Sequence, residues 1–290
     1  MRKSIYIIAF ISAMISLSCK KEIQPTNKGR FMKFYGAGLV DFAYDLKQTA
    51  DGGYIIAGYS ENSLNERKAY VIKTNQFGDL EWQKIYGEGS VFSEFKKVKI
   101  VDNEFIFFGT YKDTLETVKR EMYLVKTDLN GTIIFEEKHG GTEDQEGNDF
   151  GIMPDGNFVL GGSSTKANNV TVGNAEGSNP VGVKDFYIIK VSSTGDSILN
   201  SYQAGGGSDD QINTLKVDYD GYTYASGTLN YKYTFANLDN NNISIIKLNT
   251  QNGKFAVDDN YGFGSRGNDF CSSLIFDSGG LLLAGNINDE

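Results

Sequence analysis

Hydrophobic and polar positions along this chain fall into short runs that recur in a fixed order. Residues 43–50 (AYDLKQTA) fit a first strand, and Asp51-Gly52-Gly53 fits a tight turn, where glycine supplies positive φ at no steric cost. Residues 54–60 fit a second strand, 69–75 (AYVIKTN) a third, and 80–87 (LEWQKIYG) a fourth after a turn at Gln76-Phe77-Gly78-Asp79. The phrase at 51–60, DGGYIIAGYS, returns as DGNFVLGG at 155–162, DGYTYASG at 220–227 and SGGLLLAG at 278–285, with a degenerate copy, DNEFIFFG, at 102–109. The third and fourth strands return as a block: MYLVKTDLNGTIIFEEKHG at 122–140, FYIIKVSSTGDSILNSYQAG at 186–205 and ISIIKLNTQNGKFAVDDNYG at 243–262. The glycine ending the second strand falls at 58, 109, 162, 227 and 285, and the third-strand lysine at 73, 126, 190 and 247.

A four-stranded unit repeating every 51 to 65 residues is the signature of a β-propeller. Third strands such as YVIK, YLVK and YIIK are almost continuously apolar, which a sheet with one wet face would not be. Blades stacked side by side bury both faces and need such runs. A β-solenoid would need coils of about 20–25 residues, and a pair of ordinary β-sandwiches is the structural alternative. The expectation is an all-β propeller of about five four-stranded blades with the last incomplete. Residues 30–36 (RFMKFYG) match a fourth strand, with Phe31 and Tyr35 in the places of Trp82 and Tyr86. That strand is expected to complete the last copy (269–290) and close the ring, removing a sheet edge. The alternative is that Glu290 is a premature end and the ring holds more blades.

These units resemble the repeats of bacterial envelope proteins that carry DGGYI(I/V)AG phrases, a kelch-like propeller group. The resemblance spans residues 31–290. It implies the fold and an envelope location, and says little about activity.

Composition agrees with a β-rich core: 34 Gly but 3 Pro, 17 Tyr and 19 Phe, and 40% hydrophobic residues in 290. A net charge of −9 repels phosphate backbones, so nucleic acid is not an expected partner. Arg2 and Lys3 precede an apolar run, Ile5–Leu17, spanning about 20 Å as a helix against the roughly 30 Å hydrocarbon core. Residues 1–19 therefore read as a signal peptide, and Ser16-Leu17-Ser18-Cys19 resembles a bacterial lipoprotein signal in which Cys19 is lipidated. Ser16 departs from that pattern, which has an aliphatic residue three places before the Cys. Residues 20–30 form a polar tether, and 31–290 the repeat domain. The implied location is the cell envelope, on the outer membrane, with the lipid as the membrane contact. Cys271 then has no disulfide partner and fits a small buried hydrophobe.

Residues present in every copy serve the blade. Lys73, Lys126, Lys190 and Lys247 are expected to cover apolar surface with their stems and reach water or a turn carboxylate. Trp82, aligned with Phe135, Leu199, Val257 and Phe31, is expected in the core, and His139 stands in the slot of Tyr35, Tyr86 and Tyr261. Departures from the repeat point to function. The stretched loops 163–184 and 228–242 follow the second strand, and the latter places Tyr231, Tyr233 and Phe235 on one side of an extended segment. Linkers between copies carry Asp144, Glu146, Asp149, Asp209, Asp210 and Asp269. In up-and-down blades these linkers and loops emerge at one rim, so acids and rings form a candidate ligand surface for a protein or glycan. The acids are also weak Ca²⁺ candidates, without D-x-D-x-D-G spacing, and otherwise no cofactor is expected. No H-E-x-x-H, C-x-x-C, P-loop or convincing G-x-S-x-G motif is present, and one histidine leaves little for nucleophilic catalysis. A non-enzymatic module is expected, with a carbohydrate-active propeller using two rim carboxylates or a structural envelope protein as alternatives.

Replacing Cys19 with Ser is expected to move the protein from the membrane fraction to the soluble fraction of lysed cells. Continued sedimentation with membranes would overturn the lipidation expectation.

Overall fold

A computed structural model of the chain describes residues 32–114, 119–141, 143–165, 184–205, 209–229, 242–251, 254–264, 269–277 and 280–288. The chain divides into compact units at Met1–Lys33 and Phe34–Glu290. Cys19 and the whole of the 20–30 tether lie outside the described residues. All regular elements described are strands. Blade 1 is β1 (Val40–Gln48), β2 (Tyr54–Glu61), β3 (Arg67–Thr74) and β4 (Leu80–Tyr86). Blade 2 is β5 (Ser90–Val101), β6 (Glu104–Asp113), β7 (Glu121–Thr127) and β8 (Ile133–His139). Blade 3 is β9 (Gln145–Ile152), β10 (Phe158–Ser164), β11 (Asp185–Val191) and β12 (Ile198–Ala204). Blade 4 is β13 (Gln211–Val217), β14 (Thr223–Leu229), β15 (Asn242–Gln251) and β16 (Lys254–Phe263), followed by β17 (Phe270–Asp277) and β18 (Gly280–Asn286).

Each blade is an antiparallel meander, and one parallel bridge, Arg67 to Phe92, links the first two. Successive first strands lie against one another, β1 on β5, β5 on β9, β9 on β13 and β13 on β17. This is the blade arrangement of a β-propeller, with first strands innermost. Three apolar layers fill the junctions. Ile55, Ala57 and Val71 of blade 1 meet Phe95, Phe107 and Tyr123 of blade 2. Phe108 and Leu124 of blade 2 meet Phe150 and Leu160 of blade 3, whose Val159 and Ile188 meet Ile212 and Leu215 of blade 4. The third strands are buried on both sides, as their unbroken apolar runs require.

The recurring glycine has a steric cause. In every blade the first strand carries a β-bulge, at Tyr44, Lys96, Asn148, Asn213 and Ser272, next to the pairs Ala43–Gly58, Phe95–Gly109, Gly147–Gly162, Ile212–Gly227 and Cys271–Gly285. The bulge pushes the preceding carbonyl at the glycine. A Cβ on Gly109 would lie 1.9 Å from the Glu94 oxygen, and on Gly162 1.7 Å from that of Glu146. The bulged residue then reaches the next blade. Lys96 Nζ donates to Asn148 Oδ1 (2.6 Å), Asn148 Nδ2 to the Ile212 carbonyl (2.8 Å) and Asn213 Nδ2 to the Cys271 carbonyl (2.7 Å). The degenerate copy in blade 2 turns through Asp102 and Asn103 at φ 51° and 61°, doing what Asp51-Gly52 does elsewhere.

The lysine quartet is structural. Lys73 Nζ sits 2.8 Å from Asp51 and 2.7 Å from Glu81, Lys190 2.7 Å from Asp155, and Lys247 2.6 Å from Asp258, while Lys126 pairs with Glu104. Two alignments need correction. Trp82 faces Lys73 and Phe135 faces Lys126, but the residues facing Lys190 and Lys247 are Asn200 and Asp259. Leu199 and Val257 are therefore not counterparts of Trp82. Both are exposed; the third-to-fourth-strand connection is longer in these blades, so the residue facing the lysine comes ten (190 to 200) and twelve (247 to 259) positions after it instead of nine. Phe31 lies outside the described residues. His139 does share Tyr86's place, but Tyr261 is exposed and two positions off that register.

The N-terminal stretch does not complete the last blade. Residues 32–39 form no strand, and β17 and β18 make a two-stranded sheet. The stretch is tied to blade 1 instead: Leu39 N donates to Glu61 O (2.9 Å) and Tyr35 Oη to Gly78 O (2.6 Å). Tyr86 makes the same contact to Gly131 O (2.9 Å), and the His139 ring to the Gly195 backbone. Tyr35 thus acts as the fourth-strand tyrosine of a blade before the first. At both ends, positions that interior blades bury lie open. Leu46 is 50% exposed where Val98 is 0%, and Leu282 58% where Ile106 is 2%.

Gly109→Ala is expected to destabilise the fold by about 2–3 kcal/mol through this backbone collision. Gly141→Ala, with nothing within 4 Å of its new methyl, is expected to be near neutral. Denaturant unfolding of both variants checks this.

Candidate interaction rim

The second-to-third-strand loops and the interblade linkers share one end of the blades, as the meander requires. Tyr231, Tyr233 and Phe235 lie outside the described residues. Of the six acids, three gather at the rim around two cations the sequence reading passed over, Arg120 and Lys184. Glu146 pairs with Arg120 and, at 2.9 Å, with Lys184. Asp144 Oδ1 accepts the backbone N–H of Arg120 (3.0 Å), and Asp209 Oδ1 accepts that of Lys184 (3.0 Å). Asp149, Asp210 and Asp269 are instead buried in the junctions. Asp149 Oδ2 accepts from Leu215 N (3.0 Å) and Lys216 Nζ (3.2 Å), the Asp210 N–H donates to Lys184 O (2.6 Å), and Asp269 Oδ1 accepts from Asn288 N (2.8 Å). Among the described residues no three His, Cys, Asp or Glu side chains are grouped as metal ligands.

Arg67, Arg120 and Lys184 each stand six residues before a third-strand lysine, at the exit of the second-to-third-strand loop. Glu94 and Glu146 each stand one residue before the bulge pair of their own first strand. The repeat therefore sets a cation of one blade beside a carboxylate of the next: Arg67 with Glu94 (3.1 Å) and Arg120 with Glu146. Aligning the copies on the lysine would have found this signal.

Rings complete the arrangement. Phe42 stacks on Tyr59 at 5.8 Å, the Arg67 guanidinium lies 3.8 Å from the Tyr59 ring centre and 5.0 Å from that of Phe92, and the Arg120 guanidinium lies 5.2 Å from that of Phe92. A continuous file, Phe42–Tyr59–Arg67–Phe92–Arg120–Glu146–Lys184, crosses three blades. Arg67 remains 27% and Arg120 40% exposed, so both can be reached from outside. Burial alone would raise the Glu146 carboxyl, but the Lys184 hydrogen bond and charge, then Arg120 and Lys96, hold it below the usual carboxylate range. Tyr44, whose hydroxyl donates to Glu94 at 3.2 Å, is pushed up by burial and by that carboxylate. Burial pushes the His139 imidazole down, and Cys271 is fully buried with its thiol pushed up by desolvation.

At the opposite end, two clefts open at blade junctions. One of about 680 Å³ is lined by Asp51, Lys73, Glu81 and Trp82, and one of about 750 Å³ by Asp155, Lys190, Tyr222 and Asn249.

Comparison with protein-family models finds no match, and comparison with curated protein sequences finds none. Among solved structures, the chain is similar to the WD40 β-propeller domain of Doa1, at 11% identity over 84% of this chain and 89% of that one, with a TM-score of 0.34. The blade assignment rests on the strand pairing and stacking above rather than on this likeness.

Glu146→Gln is expected to cost about 1–2 kcal/mol at pH 7, since two cations lose their charged partner. A carboxyl lowered in the fold stabilises it above its unfolded value, about 4.3, and ceases to as pH falls through the folded value. The gap between wild type and variant, measured by unfolding, should hold constant above pH ~5 and close below pH ~4.

Proposed function

We propose that this chain is a non-enzymatic binding module of the bacterial envelope, held to the outer membrane by lipid on Cys19 and docking a protein through the Arg67–Phe92–Arg120 rim. The observation that carries this reading is the file of two arginines between three rings, flanked by carboxylates and reaching across three blades. Arginine and aromatic side chains dominate the energetics of protein interfaces, because flat guanidinium and ring surfaces bury much area and stack on one another. Here stacking and ion pairs fix the arginines in advance, which lowers the cost of ordering them on binding. Strands β10 and β14 end, and β11 and β15 begin, at this same rim; the sequence expectation that Tyr231, Tyr233 and Phe235 add to the surface belongs to this reading.

A glycan ligand is the second reading, favoured by the cleft that sets Trp82 beside Asp51, Glu81, Asn103 and Asn130. Carbohydrate turnover fits less well. A general acid needs a carboxyl raised toward neutrality. Glu146 and Asp51 are both lowered, Asp51 first by its hydrogen bond from Lys73, while Glu121, beside Arg120, is raised by burial and has neither of them as a charged neighbour.

Photo-cross-linking in the native envelope separates these readings, with the probe placed at Phe92 on the rim and at Asn103 in the opposite cleft. A discrete protein adduct from Phe92, absent from Asn103 and lost in an Arg67→Ala/Arg120→Ala background, is expected. Adducts from Asn103 alone, or glycoside turnover abolished by one rim Asp→Asn or Glu→Gln change, would overturn the protein-docking reading.

A further inference from the structure

The chain as a whole is acidic, yet its innermost strands gather lysines. Lys47, Lys99 and Lys216 occupy one blade position, each opposite the residue three before the second-strand glycine: Ile55, Ile106 and Tyr224. Lys97 joins them from β5. Because first strands are innermost and each lies against the next, equivalent positions on successive blades are neighbours along the inner wall. Lys99 in blade 2 accordingly feels the charges of Lys47 from blade 1, Asp149 from blade 3 and Lys216 from blade 4, together with Lys97 of its own strand.

The carboxylates there are already engaged. Asp45 Oδ1 takes Lys47 Nζ at 2.6 Å and Leu46 N at 3.0 Å, and its Oδ2 takes Val98 N at 3.0 Å. Asp149 Oδ1 takes Phe150 N at 2.8 Å, while its Oδ2 takes Leu215 N, Thr214 Oγ1 at 3.3 Å and Lys216 Nζ at 3.2 Å. Lys47 is thus paired with Asp45, and Lys216 with Asp149 and with the Leu215 carbonyl at 3.1 Å, which leaves Lys97 and Lys99 as the ammonium groups in excess. The Lys99 ammonium meets the Phe150 ring, 4.8 Å from its centre, a weaker counterpart than a carboxylate. A cation drawn out of water without an anion at hydrogen-bond distance is destabilised, and an acceptor with several oxygens relieves that.

We propose that the inner wall formed by the first strands binds a small divalent oxyanion, such as free sulfate or phosphate, between Lys47, Lys97, Lys99 and Lys216. Each lysine donates as a point charge on a flexible stem, which suits a compact tetrahedral anion better than a planar one. Burial holds Lys99 down at about 8, so its proton, and with it a quarter of the site's cationic groups, is lost just above neutral pH. The groups facing it across that range are Lys47 and Asp45 of β1, Lys97 of β5, Asp149 of β9 and Lys216 of β13.

Sulfate is the probe, since its charge is constant between pH 6 and 10. Calorimetric titration of the full chain, with sodium chloride at matched ionic strength as reference, is expected to show saturable sulfate binding at pH 7 that weakens about tenfold by pH 9. Lys99→Met is expected to keep the fold, to melt in chloride at or above the wild-type temperature, and to weaken sulfate binding at least about tenfold at pH 7. Lys97→Met, on the same strand, should weaken it as well, and it serves as the test if Lys99→Met does not fold. Lys84→Met, on the outer β4, should leave it unchanged. Equal binding by wild type and Lys99→Met, loss with Lys84→Met, or no sulfate response beyond chloride would overturn the proposal.

Discussion

A carbonyl oxygen of each first strand comes so near the Cα of a second-strand glycine that a methyl group on that carbon would sit between 1.7 and 2.5 Å from the oxygen. The contact recurs in all five copies. It allows a bulge in the innermost strand, and the bulge does two things at once. It increases the local twist, and it aims the extra side chain across the junction into the next blade. Tyr44, Lys96, Asn148 and Asn213 all use that direction to hydrogen-bond the following blade. Sheet-to-sheet geometry is therefore fixed by polar contacts at the centre as well as by the apolar layers.

The rim follows from the same device. The carbonyl admitted by the glycine belongs to Glu94 in blade 2 and Glu146 in blade 3, so the bulge also places those two side chains at the junction. There they meet the cation that opens the third strand of the preceding blade. One backbone irregularity thus positions a carboxylate for Arg67 and another for Arg120, and Phe92 between the arginines is the residue that bridges blades 1 and 2. Stability and surface chemistry are supplied by the same residues at this end.

Charge is sorted along the radius and the height of the blades. Turn acids at one end take up the third-strand lysines, rim acids at the other take up Arg67, Arg120 and Lys184, and the inner wall keeps more ammonium than carboxylate. A net charge of −9 is silent about this sorting, because it averages over positions that the fold holds apart.

Blade length, strand order and the structural role of the lysine quartet were legible in the sequence, because periodicity and alternation are local properties repeated often enough to be read against one another. The glycine at 58, 109, 162, 227 and 285 was legible as a recurrence, but its cause lies in a carbonyl some sixteen residues upstream and needed the pairing register. The acids of the linkers were visible as a class. Which of them meet the rim cations and loop amides, Asp144, Glu146 and Asp209, and which are sealed in junctions, Asp149, Asp210 and Asp269, depends on a neighbouring sheet that no local pattern encodes. The same holds for the displaced partners of Lys190 and Lys247, where longer third-to-fourth-strand connections put polar residues in places the alignment had given to apolar ones. Short-range pattern determined the blades; contacts between residues fifty or more apart decided what each blade presents.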